Sequence, residues 1–270
     1  MLQKIYSIYS DDLNDARLFI EAGKNHIACW CKKPGDNRLQ AFEFFRCHDY
    51  SPEKLEEIID NARLFSRLLT MPVTTTNFFW NTDETLCLPP GNDNEDFLNA
   101  NFDLMFGDSA NTKVFSEATG RCIVAWRIDY AQQHSAQQCF RGAAFTNQYV
   151  PLFKFLTEEK PVGFYIFFYP NYFTLLLFKE NKLQLAQTRQ YSTQEDVLFF
   201  VLNVCEQYGV EKNADIFCGG FIDERSRLYD TLYQYLEGLQ LMQLDENAFA
   251  TDKFKEFSSH YFMPYINYVV

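Results

Sequence analysis

Residues 161–209 constrain the fold of this chain more than any other stretch. They contain three strand patterns, the first two strongly aromatic, and then a helix pattern. The four segments are Phe164–Tyr169, Tyr172–Phe178, Lys182–Thr188 and Thr193–Tyr208. Pro170-Asn171 is a turn signal, Thr193 is a candidate helix cap with Asp196 three residues later, and Gly209 suits the helix end. Hairpin-linked strands followed by a helix predict the opening of an α/β subdomain.

The same order of patterns occurs about 145 residues earlier in the chain. Three strand patterns precede a helix that begins at Ser51 and Pro52, carries an apolar stripe from Leu55 to Leu69 and ends before Pro72. In each half a further strand follows the helix. The predicted strands are Arg17–Glu21, Ile27–Lys32, Leu39–Cys47 and Val73–Phe79 in the first half, and Ala214–Cys218 as the fourth strand of the second. We therefore predict two α/β subdomains, residues 1–119 and 120–270.

Composition excludes some classes of partner. The chain has 24 Lys and Arg against 36 Asp and Glu, a formal charge of −12, and no stripe of basic residues. Such a chain repels phosphate backbones and anionic membranes, so we expect a protein partner rather than nucleic acid. Aromatic residues make up 17% of the chain, which favours a sheet-rich core. The composition does not predict an oligomeric state.

Compartment is inferred from the cysteines and from apolar segments. Residues 1–15 lack the apolar core of a signal peptide, and eight cysteines are scattered without a disulfide-like pattern. Both features predict a cytoplasmic protein. The nearly uncharged segment Val162–Phe178 approaches the length of a membrane helix, but Pro170-Asn171 interrupts it and its residues favour strands. We therefore predict a hairpin and no transmembrane segment.

The duplicated strand-strand-strand-helix-strand order resembles the actin-like ATPase fold, in which two ribonuclease-H-like subdomains flank a nucleotide cleft. Within that fold the chain looks most like a Bacteroidetes family of unknown function that is distantly similar to the pilus-assembly protein PilM. The resemblance covers residues 16–242, and its most telling stretch is Asp196–Leu236. It rests on the order of elements, because no single motif is diagnostic.

The resemblance implies where a nucleotide would bind. Active members of the fold hold phosphate with an Asp-x-Gly turn between the first two strands of each half, where backbone amides surround the anion. In the first half the matching turn is Glu21-Ala22-Gly23-Lys24-Asn25, a partial match. In the second half the expected Asp falls on Phe167 and the expected Gly on Tyr169, and Pro170 lacks an amide hydrogen. The second phosphate turn is therefore expected to be lost.

A third element of active members is a Gly-Gly turn that lies against the adenosine, and Gly219-Gly220 matches its position. The alternative interpretation is a tight turn between a strand and a helix. Asp223-Glu224-Arg225 follows, and these residues are explained either as catalytic carboxylates or as acidic residues in the first turn of a helix.

Other candidate sites have simpler structural explanations. Cys29 and Cys31 lie on one face of a strand, but no second pair completes a zinc site. His26 and His48 bracket the first hairpin and could approach each other. No nucleophile elbow, Walker A, Rossmann or EF-hand pattern is present. We therefore assign no catalytic residues and no metal ligands.

Two functional hypotheses follow, and a third is weaker. The first is a catalytically inactive actin-like protein that acts as a scaffold or protein-interaction module without a cofactor, its cleft filled by Phe167 and Tyr169. The second is an adenine-nucleotide-binding ATPase or sensor that holds ATP with Mg²⁺ through Glu21, Gly23, Lys24, Asn25, Gly219 and Gly220. A membrane-associated assembly protein is the third. The aromatic segment Tyr261–Val270 is either a final strand packed on the second half or a partner-binding surface.

Overall fold

The computed structural model describes residues 2–48, 50–156, 162–180 and 182–266. The chain divides into two compact units. Unit 1 contains the described residues of 2–155 together with 245–256, and unit 2 contains those of 156–244 together with 257–266. The two units are described separately below.

Unit 1 is built on a six-stranded sheet and a three-stranded sheet. Its strands are β1 (Leu2–Tyr9), β2 (Arg17–Gly23), β3 (His26–Lys33), β4 (Asp36–Cys47), β5 (Thr75–Asn81), β6 (Thr85–Leu88), β7 (Thr112–Ala118), β8 (Ile123–Asp129) and β9 (Ala144–Asn147). Its α-helices are α1 (Leu55–Arg63), α2 (Glu95–Phe106), α3 (Tyr130–Cys139) and α4 (Tyr149–Phe155). The large sheet has the order β1-β4-β3-β2-β5-β9, and the small one β6-β8-β7. β2, β5 and β9 run parallel, and the meander β2-β3-β4 is antiparallel.

Residues 245–256 complete unit 1 from a distant part of the sequence. Phe249 forms a parallel bridge with Leu39 of β4, and the Ala250 amide donates to the Leu39 carbonyl oxygen over 3.0 Å. The Lys253 ammonium donates to the Tyr9 carbonyl oxygen over 3.1 Å. This segment therefore belongs to the first sheet although it follows most of unit 2 in the chain.

Unit 2 repeats the same strand order. Its elements are β10 (Val162–Phe168), β11 (Tyr172–Lys179), β12 (Lys182–Gln190), α5 (Gln194–Tyr208), β13 (Ile216–Gly220), α6 (Arg227–Tyr233), β14 (Leu239–Leu241) and α7 (Met263–Ile266). The sheet has the order β12-β11-β10-β13-β14, with β10, β13 and β14 parallel. Both meanders therefore continue into two parallel strands beside their first strand, which confirms the predicted repeat.

The core of unit 2 follows from the apolar strands and from one face of α5. Val197, Val201 and Val204 recur at helical spacing and pack against buried residues of β10, β11 and β13. Phe199, on the other side of α5, is 67% exposed. The apolar residues of α5 run nearly all round the helix, which suggests cover on both sides, but only one face packs on the sheet.

Several predicted boundaries differ from the structure. α1 ends at Arg63, so the predicted stripe continues through a non-helical segment in which Phe65 is 64% exposed and Leu68 is buried. β7 was not predicted; it pairs with β8, which also pairs with β6. β8 and β9 both belong to unit 1, so the compact units separate later in the chain than the subdomain boundary expected between residues 119 and 120. The boundary between residues 119 and 120 refers to the repeated subdomains rather than to the compact units, and it stays a prediction.

The aromatic segment near the end of unit 2 is helical where the structure describes it. Ser259–Phe262 forms a 3₁₀ turn that continues into α7, and residues 262–266 are buried. The predicted final strand is therefore wrong for residues 261–266, and residues 267–270 lie outside the described part. Among the described helices, none combines the length and apolarity that a membrane crossing requires.

Candidate functional site

A polar cavity of about 350 Å³ opens in unit 1 at the carboxyl ends of β2 and β5. Ligands of α/β sheets commonly bind outside the carboxyl ends of parallel strands. Three of the residues expected to bind nucleotide in the first half, Gly23, Lys24 and Asn25, line this cavity. Gly23 ends β2, and Lys24 and Asn25 form the two-residue turn to β3. The position that the sequence predicted for the first phosphate turn therefore coincides with a cavity.

Glu21, the residue in place of the expected Asp, points into the protein. Its side chain is fully buried, and its Oε1 lies 2.9 Å from His26 Nε2 and accepts a hydrogen bond from Asn81 Nδ2 over 3.1 Å. The His26 ring stacks on Phe44 with centroids 5.0 Å apart. Glu21 is therefore engaged by neighbouring strands and does not line the cavity.

The two cations that line the cavity already have carboxylate partners. Lys24 Nζ lies 3.1 Å from Asp83, and Arg127 Nε donates to Glu84 over 2.6 Å. The Arg127 side chain is only 3% exposed, whereas the Lys24 ion pair is open to solvent. A phosphate group would have to compete with these carboxylates for both cations, which weakens its electrostatic attraction to the site.

The amino end of α3 also reaches the cavity, and such an end can bind an anion. Here Asp129 fills that role itself, because its Oδ1 accepts hydrogen bonds from the amides of Ala131 over 2.8 Å and Gln132 over 3.4 Å. Asp129 and Gln132 both line the cavity. The helix end is therefore capped by the protein's own carboxylate.

Two buried polar atoms of the cavity lining have no hydrogen-bond partner within the described part of the chain. They are Asn81 Oδ1 and Trp80 Nε1, and both residues are less than 5% exposed. Buried polar groups normally have a partner from the protein or from ordered water. Ordered water can satisfy such atoms, and Trp126 Nε1, whose residue does not line the cavity, is in the same situation.

In unit 2 the corresponding turn is closed. Phe167 and Tyr169 are fully buried, and the rings of Tyr169 and Tyr172 stack with centroids 4.6 Å apart. The Tyr169 amide donates to the Tyr172 carbonyl oxygen over 2.8 Å, and Pro170 has no amide hydrogen. The Tyr169 amide is therefore already used within the turn, and the two buried rings occupy the space that a phosphate group requires.

The Gly219-Gly220 turn is filled by packing within unit 2. A Cβ atom on Gly219 would lie 2.9 Å from the Cβ of Met263 and 3.4 Å from the Phe167 ring. The adjoining His260 is buried, and its Nε2 donates to the Ile222 carbonyl oxygen over 2.6 Å. The segment 259–266 thus covers the position where the resemblance places adenosine.

The remaining candidates from the sequence are either held by local hydrogen bonds or buried in the core. Asp223 Oδ1 accepts from the Arg225 amide, which holds the pKa of that carboxyl below its usual value, and its Oδ2 accepts from the Tyr261 hydroxyl. Cys29 and Cys31 are buried, and burial raises the pKa of the Cys31 thiol to about 12. Within the described residues no group of three or more His, Cys, Asp or Glu side chains could hold a metal ion.

Sequence reasoning missed the polar wall of the unit 1 cavity, which Asn81, Asp83, Arg127 and Asp129 supply from distant parts of the chain. One signal was available, since Asp129 stands between the apolar run Cys122–Ile128, which has a strand pattern, and the helical segment that follows. An Asp at a strand-to-helix junction is typical of a helix cap.

Comparisons with known proteins agree on the fold. The profile of a family described as "Protein of unknown function (DUF3822)" matches residues 8–239. A protein from Bacteroides thetaiotaomicron VPI-5482, described as having an actin-like ATPase fold and unknown function, superimposes with a TM-score of 0.72 at 16% identity, covering 89% of this chain and 94% of that one. Curated proteins give no match.

Two further solved structures share the fold. The PilM–PilN type IV pilus biogenesis complex gives a TM-score of 0.65 at 11% identity, covering 93% of this chain and 97% of that one. The ethanolamine utilization protein EutJ from Carboxydothermus hydrogenoformans gives 0.51 at 8% identity, covering 87% of each chain. The expected actin-like ATPase fold is therefore confirmed, and at these identities the likeness extends to the fold alone.

Proposed function

The chain belongs to the family of unknown function DUF3822 and has an actin-like ATPase fold; from this premise we propose that it no longer hydrolyses nucleotide and acts as a scaffold or protein-interaction module. The observation that carries the proposal is the closed edge of unit 2. Phe167 and Tyr169 occupy the second phosphate turn, and Met263 packs against Gly219. Hydrolysis depends on groups placed around the transferred phosphoryl, and this half supplies none at those positions.

Unit 1 supports the same proposal. Its carboxylate at the phosphate turn, Glu21, is buried against His26 and Asn81, and its helix end is capped by Asp129. A metal or its waters would need a carboxylate that faces the cavity from the turn. The remaining acidic residues, Asp83 and Glu84, are paired with Lys24 and Arg127.

Protein partners are the class that the charge of the chain favours, since a net charge of −12 repels nucleic acid and anionic lipid. PilM, which shares this fold, was solved as a complex with the protein PilN. We extend to this chain only the idea that the fold can serve protein assembly. Eight unpaired cysteines support a reducing cytoplasmic location as part of the proposal.

The proposal is tested by a thermal-shift titration with ATP and ADP, each with and without Mg²⁺, together with a phosphate-release assay. We expect no nucleotide-dependent rise in Tm at millimolar concentration and no release above a blank. Even a weak site saturated at that concentration raises the stability of the native state. A Mg²⁺-dependent rise accompanied by phosphate release would sink the proposal.

A second candidate function rests on the unit 1 cavity. Its volume, the turn Gly23-Lys24-Asn25 and the unpartnered atoms of Trp80 and Asn81 favour a sensor that binds adenine nucleotide, as ATP with Mg²⁺, without hydrolysing it. The same titration separates the two functions. For the sensor, Tm rises without phosphate release, and Lys24→Ala reduces the rise because Lys24 lines the cavity.

A further inference from the structure

The helix α2 carries apolar side chains on two adjacent faces. On one face Leu98 and Phe102 are buried against Ala125 and the partly buried Leu86, Leu88 and Val114 of the three-stranded sheet. The neighbouring face is exposed, with Phe97 at 42%, Leu104 at 82% and Met105 at 61%. Phe97, Ala100 and Leu104 follow the three- and four-residue spacing that places side chains on one side of a helix. We call the residues Phe97, Ala100 and Leu104 the α2 face; Met105, seven residues after Leu98, lies at its border with the packed face.

The helix α2 is capped at its start and fixed to the rest of unit 1 at its end. At its start the Asn94 side chain accepts hydrogen bonds from the amides of Asp96 over 3.0 Å and Phe97 over 3.2 Å. At its end the buried Arg127 donates to the Gly107 carbonyl oxygen over 2.9 Å and lies 3.3 Å from Asp103. A cation at the carboxyl end of a helix also stabilises the helix dipole. The α2 face is therefore presented by an anchored helix.

The charged residues of α2 and of the segments at its two ends, residues 93–108, are all acidic. Residues 68–112 contain seven Asp and Glu and no Lys or Arg. Asp93, Glu95, Asp96 and Asp108 are exposed on α2 and at its ends. An apolar stripe bordered by acidic side chains is complementary to an apolar stripe bordered by basic ones.

We propose that the α2 face binds an amphipathic helix of another protein whose apolar stripe is bordered by Lys and Arg. This inference deepens the proposed function and rests on it, since it names a surface through which a protein-interaction module would act. A helix in an apolar groove anchors through residues at the same three- and four-residue spacing. Leu104, the most exposed of the large apolar residues, is the expected anchor on this side.

The same charge disfavours two other occupants. A second copy of this chain would bring two acidic rims together, which repel each other. An anionic membrane surface would be repelled in the same way, because lipid-binding helices carry Lys and Arg beside their apolar face. A basic helix alone gains from both the apolar stripe and its acidic border.

The test uses the full chain and a labelled amphipathic peptide of about 18 residues, long enough to form a helix on binding. The peptide has Leu at the three- and four-residue spacing and Lys elsewhere, and a matched peptide has Glu in place of Lys. Fluorescence anisotropy is measured at about 0.05 M and 0.3 M salt. We expect saturable binding of the Lys peptide that weakens with salt and no binding of the Glu peptide.

The decisive comparison is between two exposed leucines. Leu104→Ser is expected to weaken binding of the Lys peptide about tenfold, as removal of a central anchor does. Leu64→Ser is the matched control, because Leu64 is 76% exposed but lies outside α2, and it should leave binding unchanged. Met105→Ser provides a second variant, at the border of the α2 face. Both α2 variants remove exposed side chains, so unfolding is checked by their Tm values.

Four results would overturn the inference. Equal binding by the wild type and Leu104→Ser would mean that charge alone attracts the peptide, and binding of both peptides would remove the role of the acidic border. A wild-type dimer that Leu104→Ser converts to a monomer in analytical ultracentrifugation would assign the α2 face to a second copy.

The nucleotide titration on the same samples separates the two proposals. A rise in Tm with nucleotide contradicts the proposed function. If the peptide does not bind and nucleotide does not raise the Tm, only the inference about the α2 face is contradicted.

Discussion

Gly220 lies directly against the backbone of Phe168. A Cβ atom on Gly220 would come 2.2 Å from the Phe168 carbonyl oxygen, and the φ angle of Gly220 is +81°. The Phe221 amide donates to that same oxygen over 2.8 Å. The close approach of β13 to β10 therefore requires glycine at this position without any contribution from a ligand.

Substitution of Gly220 should consequently destabilise the protein whether or not nucleotide is present. Gly220→Ala combines a left-handed backbone with a clash against backbone, so we expect a loss of about 3 kcal/mol. Gly209→Ala is the control, because Gly209 has φ +58° but open space around it, and should lose about 1 kcal/mol. Urea unfolding measures both. Equal losses would show that the packing around Gly220 yields more easily than this geometry implies.

Arg127 should matter far more to stability than Lys24, although both pair with acidic residues at the same cavity. Arg127→Met leaves the partly buried Glu84 without its cation and the end of α2 without its donor, and we expect a loss of about 3 kcal/mol. Lys24→Met removes an exposed pair with Asp83 and should lose under about 1 kcal/mol. Denaturant midpoints compare them. Similar losses would contradict the anchoring role assigned to Arg127.

Lys32 predicts a stability that depends on pH. Burial lowers the pKa of this side chain to about 8, while Asp36 acts in the opposite direction. The unfolded state, with a pKa near the ordinary 10.5, holds the proton more strongly between pH 8 and 10.5, so this group's contribution to stability rises with pH in that window.

Lys32→Met removes the cost of burying that charge. We expect the variant to be about 1–3 kcal/mol more stable than the wild type at pH 7, with the difference shrinking as pH approaches 10.5. Lys33→Met, at an exposed ion pair with Asp12, is the control and should show no such trend. Unfolding curves from pH 7 to 10.5 test this, and a constant difference across the range would contradict it.

His260 predicts a loss of stability at acidic pH. Burial lowers the pKa of this imidazole. The hydrogen bond to the Ile222 carbonyl oxygen and the nearby Asp223 and Glu224 act in the opposite direction but do not outweigh burial. The unfolded state therefore takes up a proton that the folded state resists as pH falls below about 6.5, and stability is lost there. His260→Gln, which keeps an N–H donor, should lose less stability on acidification. His134→Gln, on the exposed side of α3, should behave as the wild type.

The elements that were predicted well depend on local signals. Thr193 and Asp196 form the expected reciprocal cap of α5, since the Asp196 amide donates to Thr193 Oγ1 over 3.2 Å and the Thr193 amide donates to Asp196 Oδ2 over 2.9 Å. The strand order of each half followed from turns and from apolar runs. These signals lie within a few residues of the structure they specify.

The features that were missed depend on distant partners. β7 has partly buried and exposed residues and no fully buried one, so its pattern is weak until β8 pairs with it. Glu21 resembled a phosphate-turn carboxylate, but its partner Asn81 lies 60 residues away. The helix α2 has apolar residues both on the face that packs and on the face that stays exposed, and the sequence alone does not distinguish the two.

Both compact units draw their closing pieces from residues 245–266. Phe249 and Lys253 attach to the first sheet, and Met263 packs over Gly219 in the second. A ribosome synthesises these residues after every strand described in either sheet. Domains commonly fold as units during translation, but here the strand end at Phe167 and Gly219 gains its contact with Met263 only when these late residues emerge. Neither unit can therefore complete its packing until nearly all of the described chain has been synthesised.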